Sequence, residues 1–444
     1  MEKPPEWQEL LNSDLFKRIR TSSEAKEIIK KAQKEYVYWE KFKYYPFPKN
    51  IKAEDAWAYL KLTVRGEGEK TPVRDTKGRS FYYNLTKSLY QKLNFIDTHG
   101  AGLIKSLADK PSEAQALKYI ISSLTEEAIA SSQIEGANTT HKVAKEMILS
   151  ERRPRNKDEQ MILNNYRAMQ KIEEWKDLEL TETMLLDLQK ILTDQTLDAG
   201  DTGRFRNDKD EIVVHDALTG EVVHTPPTEK DMRVELKRLI AYANKAEDDD
   251  EFIHPVIKAT ILHFWLAYIH PFVDGNGRSS RVIFYWYLLR RNYWLIQYVS
   301  VSRAIKQSRK GYDDAYLHSE FDDNDLTYFL LYIAEAFKKA ILQFMGHFEK
   351  KVEEAKELKK AASALQKFNV RQIELLQYFA DHAEEYIDVI THQNKNVISR
   401  ATANNDLRQL VQEGCLTETK RSKRKIYMPN VAKIKKVFSE KLKR

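Results

Sequence analysis

His270-Pro-Phe-Val-Asp-Gly-Asn-Gly-Arg-Ser-Ser-Arg281 is the stretch on which the reading of this chain turns. It joins two strongly apolar segments, Pro255–Ile269 and Ser279–Tyr293, whose composition and spacing predict helices. A short glycine-rich turn at the start of a helix presents several backbone N–H groups and a positive helix end, a setting that suits a phosphate. Gly275 and Gly277 permit close backbone approach and a positive φ. Arg278 and Arg281, three residues apart, add positive charge near that helix start. Asp274 offers the hard oxygen that magnesium takes beside phosphate oxygens. His270, four residues before that Asp, can act as a general base near neutral pH. Base, metal ligand, anion cradle and two arginines together describe phosphoryl or nucleotidyl transfer. Taken singly, each has a plainer reading. A His-Pro pair after an apolar run is a helix stop, as we read His254-Pro255, and a Gly-Asn-Gly is a turn. Their crowding between two apolar helices favours chemistry.

Around this run, helical patterns dominate from Ser112 to about Ala336, with one exception. In Glu211–Thr225 two β-branched runs flank Thr219-Gly220, and Pro226-Pro227 stops the second, which predicts a hairpin. An isolated hairpin is marginal and needs a surface or a partner strand. Upstream lies Ser131-x-x-x-Glu135-Gly136, by itself an ordinary helix end closed by glycine. In the first 110 residues, Ser23–Glu40 reads as a charged helix, Trp57–Leu62 with Val64 as a short apolar element, and Gly66–Lys77 as a loop.

Leu326–Lys367 reads as one long helical stretch ending in a mixed-charge run from Glu349, a solvated linker with a boundary near Lys367. Beyond it, Val370–Ala383, Ile387–Gln393 and Ser399–Glu413 predict three helices, the last with Ser399 as N-cap and Gly414 as stop. Leu416–Tyr427 then predicts two short strands around Arg421-Ser-Lys-Arg. Three helices followed by a basic hairpin is the pattern of a winged helix-turn-helix. Thr402, Asn404, Asn405 and Arg408 would reach base edges or phosphates, with Lys420, Arg421, Lys423, Arg424 and Lys425 as a basic wing. Protein contact is the other use of such a module.

The length, 444 residues, suits two to four domains. With 42% apolar and 31% charged residues, 14 Gly and 12 Pro, the chain is neither collagen-like nor disordered. The net charge, +7, is mild, but it is concentrated at the C-terminus, where Glu440 is the only acidic residue from Lys420 to Arg444. A single cysteine, Cys415, excludes an intramolecular disulfide and a Cys-rich zinc site. The start, Met1-Glu-Lys-Pro-Pro-Glu, lacks a leader pattern. The longest apolar stretches, Ile261–Ile269 and Val282–Leu289, are about half of the ~18 residues a membrane span needs. The expectation is a soluble cytoplasmic protein with no membrane partner.

The run at 270–281 resembles the signature of the Fic domain, H-x-F-x-[DE]-G-N-G-R-x-x-R, at every fixed position, and the resemblance extends over roughly Ser112–Ala336. It implies a mainly α protein: a Fic-type helical bundle with a small β-hairpin flap, followed here by the winged helix-turn-helix. The segments expected are 1–110, a mixed N-terminal region; 111–345, the Fic domain; 346–367, the linker; and 368–444, the winged module. Most members transfer AMP from ATP to a Ser, Thr or Tyr hydroxyl of a target protein or of themselves, and release pyrophosphate.

The resemblance implies His270 as the base and Asp274 as the ligand of Mg2+. Asn276 with the Gly275–Gly277 backbone would cradle the α-phosphate, Arg278 would contact the β/γ region and Arg281 the γ-phosphate. Phe272 would be a buried anchor, Tyr312 would line the adenine pocket, and Val213, Val214, Val222 and Val223 would form the flap on which a target segment pairs. Ser131, Glu135 and Gly136 resemble the family's inhibitory helix, [ST]-x-x-x-E-[GN], expected near 124–136. There Glu135 would pair with Arg281, and in some members the same glutamate helps to remove AMP. A homodimer is also expected from the resemblance. The competing reading is a DNA-binding transcriptional regulator whose Fic domain senses nucleotide; the intact His270 favours the enzyme, because a sensor needs no base.

Overall fold

The computed structural model describes residues 1–11, 13–100, 113–215, 219–245, 252–365, 367–421 and 424–439. It is mainly helical, and the strands of its described residues form three two-stranded antiparallel hairpins. The chain folds as two compact units that are discontinuous in sequence. The first comprises residues 1–103, 167–296 and 301–340, and the second residues 104–166, 297–300 and 341–444. Among the described residues no helix is long and apolar enough to cross a membrane.

The first unit is built around two helices. The leading helix, Pro255–Ile269, has no polar face, and a helix that is apolar all round must lie inside. Every residue from Val256 to Ile269 except Ala267 is buried. It packs directly on the trailing helix, Asn276–Arg290, which is buried from Arg278 to Leu289. Filling each such apolar position stabilises the unit by about 1.5–3 kcal/mol relative to exposure.

His254-Pro255 is a helix start rather than the stop expected from the sequence. His254 caps the leading helix by accepting the Val256 N–H on Nδ1 (3.2 Å), and Pro255 takes a first-turn position, where its missing N–H costs nothing.

The N-terminal residues supply buttresses. The expected Ser23–Glu40 helix is split: Ser23–Glu35 ends where Tyr36 turns left-handed (φ 50°), and Trp39–Phe42 forms a separate turn. Trp57 belongs to a full helix, Ala53–Gly66, and packs on Trp39 and Phe42. The segment read as a loop at Gly66–Lys77 contains a strand, Glu69–Arg74, paired with Ser80–Tyr83. Alternate burial of Thr71 and Val73 marks its inner face, and Pro72 between them hid the pattern.

This hairpin is tied to the loop after the helix Arg309–Phe321: Tyr82 N–H bonds Asn324 O (3.0 Å), and Leu326 N–H bonds Tyr82 O (2.8 Å). Beneath it Lys61, fully buried, donates to Asp322 (2.9 Å) and Asp325 (2.8 Å), with Tyr36 and Tyr328 donating to the same carboxylates. Buried charges persist only when paired in this way. The network fixes the end of the helix that carries Tyr312.

In the second unit, helix Glu113–Ile134 ends at Gly136 (φ 94°), and helix His141–Leu149 begins at the N-cap Thr140. The C-terminal helices are Val370–Asp381, Val389–Asn396 and Arg400–Gln412, followed by strands Leu416–Arg421 and Arg424–Pro429 in unbroken register. Ser399 caps the third helix by accepting the Thr402 N–H (3.1 Å), and Gly414 (φ 72°) follows its end. A further helix, Val431–Ser439, closes the module over Ile373, Leu376, Leu410 and Tyr427. Asp406 is its buried polar centre, accepting from Asn369 (2.7 Å), Arg371 (2.8 Å) and His392 (3.2 Å). Thr327–Leu365 is a single 39-residue helix whose residues up to Ala340 belong to the first unit and whose remainder belongs to the second.

Candidate active site

The sequence dictates where the leading helix ends. A residue before proline is disfavoured in the right-handed helical region, so His270, ahead of Pro271, is a forced stop. It adopts a left-handed conformation (φ 48°, ψ 59°) as the helix C-cap. For a non-glycine residue this costs about 1–2 kcal/mol, and such strain persists only when the surroundings hold it.

Here Arg206 holds it. Its Nε donates to His270 O (2.7 Å), one terminal nitrogen donates to Pro227 O (2.6 Å) and Ile269 O (3.3 Å), and its backbone N–H donates to Pro271 O (2.9 Å). The His270 ring bonds Ala267 O through Nδ1 (3.1 Å). A carbonyl only accepts, so Nδ1 carries the proton and Nε2 of the neutral ring carries the lone pair. That is the tautomer a base needs.

Gly275 (φ 92°) turns the loop into the trailing helix, and a Cβ there would sit 3.4 Å from the Thr193 methyl as well as in a strained backbone. The first-turn N–H groups of Asn276, Gly277 and Arg278 have no carbonyl of their own helix to bond, an arrangement that can receive an anion. The Asn276 side chain closes the loop on itself: its Oδ1 accepts the Phe272 N–H (2.9 Å) and its Nδ2 donates to Phe272 O (2.8 Å). Phe272 is fully buried against Phe205, as expected of an anchor.

Arg278 is also turned inward. With 1% of its side chain exposed, it donates to Leu192 O (2.8 Å) and Asp274 Oδ2 (3.0 Å), while its Nε has no hydrogen-bond partner among the described residues. The Asp274 carboxylate, 46% exposed, also accepts the Gly275 N–H (2.6 Å), and the Asp274 carbonyl accepts from Gln189 (3.3 Å). Among the described residues no three His, Cys, Asp or Glu side chains form a metal cage. A single half-exposed carboxylate beside that helix start fits Mg2+, which takes one or two carboxylates and completes its shell with phosphate and water oxygens.

Arg281 is buried, on the same helix. Tyr312 lies in an aromatic cluster with Tyr316, Phe329 and Tyr332, and its hydroxyl meets His263 Nε2 at 2.9 Å. Burial, and then the nearby charge of Arg281, push the His263 imidazole far down, so it is neutral. The hairpin expected to act as the flap pairs Val214–His215 with Val222–His224; Val213 precedes the first strand, Thr219 and Gly220 lie in the turn, and residues 216–218 lie outside the described residues.

In the second unit, Ser131 is buried within helix Glu113–Ile134, and Glu135 and Gly136 follow its end. On helix Arg400–Gln412, Asn405 and Arg408 are exposed. Thr402 and Asn404 are engaged locally, with Ser399 (2.9 Å) and Arg400 O (2.9 Å). In the hairpin, Arg424 donates to Ser150 O (3.1 Å), Lys425 pairs with Glu418 (2.7 Å), Arg421 ends the first strand, and Lys423 lies outside the described residues.

Arg206, Gln189, His263 and His224 escaped the sequence reading. Gln189, His263 and His224 are polar side chains in or beside apolar patterns, and Arg206 sits in a polar stretch that carried no signal.

Residues 179–288 match the Fic/DOC family, and they span the hairpin Val214–His224, the leading helix and the 270–281 run. The chain carries a Fic domain. Over 70 residues it is 39% identical to protein adenylyltransferase Fic of Drosophila mojavensis, covering 16% of this chain and 14% of that one. Over 118 residues it is 32% identical to the Drosophila virilis protein of the same name, covering 27% and 22%. The matched part is thus less than a quarter of either relative. Similar solved structures include a Fic family protein from Desulfovibrio desulfuricans G20 (19% identity, 78% of this chain and 97% of that one, TM-score 0.47) and Fic-1 from C. elegans (17% identity, 73% and 84%, TM-score 0.48).

Proposed function

We propose that the protein is a nucleotidyltransferase that moves AMP from ATP to a hydroxyl side chain of a target protein or of itself. The observation that carries this reading is the His270 ring, bonded through Nδ1 to Ala267 O (3.1 Å), on the loop that leads into the helix start at Gly275–Arg278. His270 Nε2 takes the hydroxyl proton as the hydroxyl oxygen attacks the α-phosphorus, and the bond to pyrophosphate breaks. The cradle N–H groups meet charge building on the α-phosphate oxygens, where fixed donors count most. Arg281 serves the γ-phosphate, and Arg278 and Gln189 hold Asp274 in place. Bound at Asp274, Mg2+ would neutralise charge on the phosphates. Tyr312, steadied by His263, serves the base-binding side, and the flap receives a target segment as an added strand.

Glu135 is proposed as a brake that pairs with Arg281 and competes with the productive pose of ATP, and as a group that aids hydrolytic removal of AMP. The C-terminal module is proposed as a winged helix-turn-helix that locates the enzyme on duplex DNA. The exposure of Asn405 and Arg408 on helix Arg400–Gln412 favours this use.

Transfer of label from α-labelled ATP, with Mg2+, tests the main reading. Label is expected on wild type and none on His270→Ala, which keeps its nucleotide affinity. Label on His270→Ala at the wild-type rate would overturn the assignment of the base.

A further inference from the structure

We propose that His224 is a positioning residue for the flap: as an imidazolium it pins the outgoing flap strand to two helices at once. Its Nδ1 lies 2.8 Å from Glu320 Oε2 on helix Arg309–Phe321, and its Nε2 lies 2.8 Å from Tyr268 O on the leading helix. Both partners are acceptors, and a neutral imidazole has one N–H to give. In the neutral ring one contact becomes lone pair against lone pair; only the doubly protonated ring satisfies both.

The site is enclosed, with 9% of the His224 side chain and 18% of the Glu320 side chain exposed. The Tyr268 ring packs on the imidazole at 4.9 Å, and the opposite flap strand presents apolar Val214. Three groups of other elements bear on its charge: Glu320 attracts it, Arg206 opposes it, and the Tyr268 phenol is kept neutral by its own burial. Burial alone would push the imidazole down, but Glu320 and the two hydrogen bonds outweigh it and hold the group above its ordinary range.

The sign follows. The pin is fully present below the ordinary histidine value of about 6.5 and is lost as pH rises through the higher folded value. His270 must be neutral to act, so the two histidines make opposite demands on protonation. The position of this strand matters because a target segment paired to it is held against His270. In that respect the inference rests on the transferase reading.

Side-chain 15N NMR of the full-length protein, with His224→Gln to assign the resonance, reads the protonation state directly. At about pH 6.5 both His224 nitrogens should carry protons, and in Glu320→Gln, which keeps an acceptor and removes the charge, the midpoint should fall. Flap amide exchange at Val222–Thr225 should quicken about tenfold in Glu320→Gln, the effect of one charge-assisted hydrogen bond. With a protein target, KM should rise about as much while nucleotide affinity holds.

A singly protonated ring at that pH, or one midpoint in both proteins, would overturn the pin. Unchanged flap exchange would overturn the positioning role. Transfer by no form of the protein would sink the transferase reading and leave the titration and the exchange to decide this one.

Discussion

Replacing Arg206 by lysine asks whether the aim of His270 depends on a side chain assigned no contact with substrate. The guanidinium reaches three carbonyl oxygens, of His270 (2.7 Å), Pro227 (2.6 Å) and Ile269 (3.3 Å), and joins the His270 corner to the chain that leaves the hairpin Val214–His224. Lysine keeps the charge and much of the stem, but its compact ammonium lacks the planar fork and cannot span all three. If it keeps one contact, two charge-assisted hydrogen bonds are lost, each contributing about 1.5 kcal/mol net, or about 3 kcal/mol together. The loss falls on a residue already held in a left-handed conformation, so the cap relaxes and the ring turns from its pose. About 3 kcal/mol corresponds to roughly a 100-fold slower chemical step. Single-turnover transfer and thermal unfolding, measured side by side, separate the possibilities. The expected result is a rate lower by about 100-fold, a Tm lower by several degrees and an unchanged nucleotide affinity. A lower Tm with an undiminished rate would refute the reasoning and leave Arg206 a structural brace only.

Three other outcomes are expected. If Glu135 favours a closed state by about 2–3 kcal/mol, Glu135→Gly raises autotransfer about 30–100-fold, and equal rates for the two proteins would remove the brake. Asn276→Ala strands the buried Phe272 N–H and carbonyl, at about 1–3 kcal/mol each, which calorimetry would read as a lower Tm. Burial pushes the Asp406 carboxyl up, but hydrogen bonds from His392, Arg371 and Asn369 together hold it below the usual carboxylate range. Its stabilising effect is therefore present above the unfolded value of about 4 and lost as pH falls below it, so amide exchange in helix Arg400–Gln412 should quicken in acid and lose that dependence in Asp406→Asn.

The C-terminal module shows how far sequence patterns reach. Its three helices and two strands lie within a few residues of where periodicity, Ser399 and Gly414 put them, because caps and turns act over neighbouring residues. The strand Glu69–Arg74 was missed for the complementary reason. Pro72 breaks the alternation, and much of what secures the hairpin, through Tyr82 to Asn324 and Leu326, comes from over 200 residues away. At His254-Pro255 and His270-Pro271 the same dipeptide begins one helix end and closes the other. Which end it marks depends on the apolar run lying after or before it, as the sequence itself displays.

Within the site the division is similar. The sequence by itself determined the two apolar helices, the forced stop at His270, the glycine turn at Gly275 and the family signature across 270–281. All of these follow from local backbone sterics and from periodicity. Tertiary structure decided that His270 Nδ1 faces the Ala267 carbonyl, that Asn276 and Arg278 bond the Phe272 backbone and Asp274, and that Arg206 and His224 reach the His270 carbonyl and Glu320 with Tyr268. It also grouped residues 104–166 with 341–444. These depend on which carbonyl comes to face which donor after distant segments have packed, and a contact between residues 206 and 270 leaves no periodic trace in the chain.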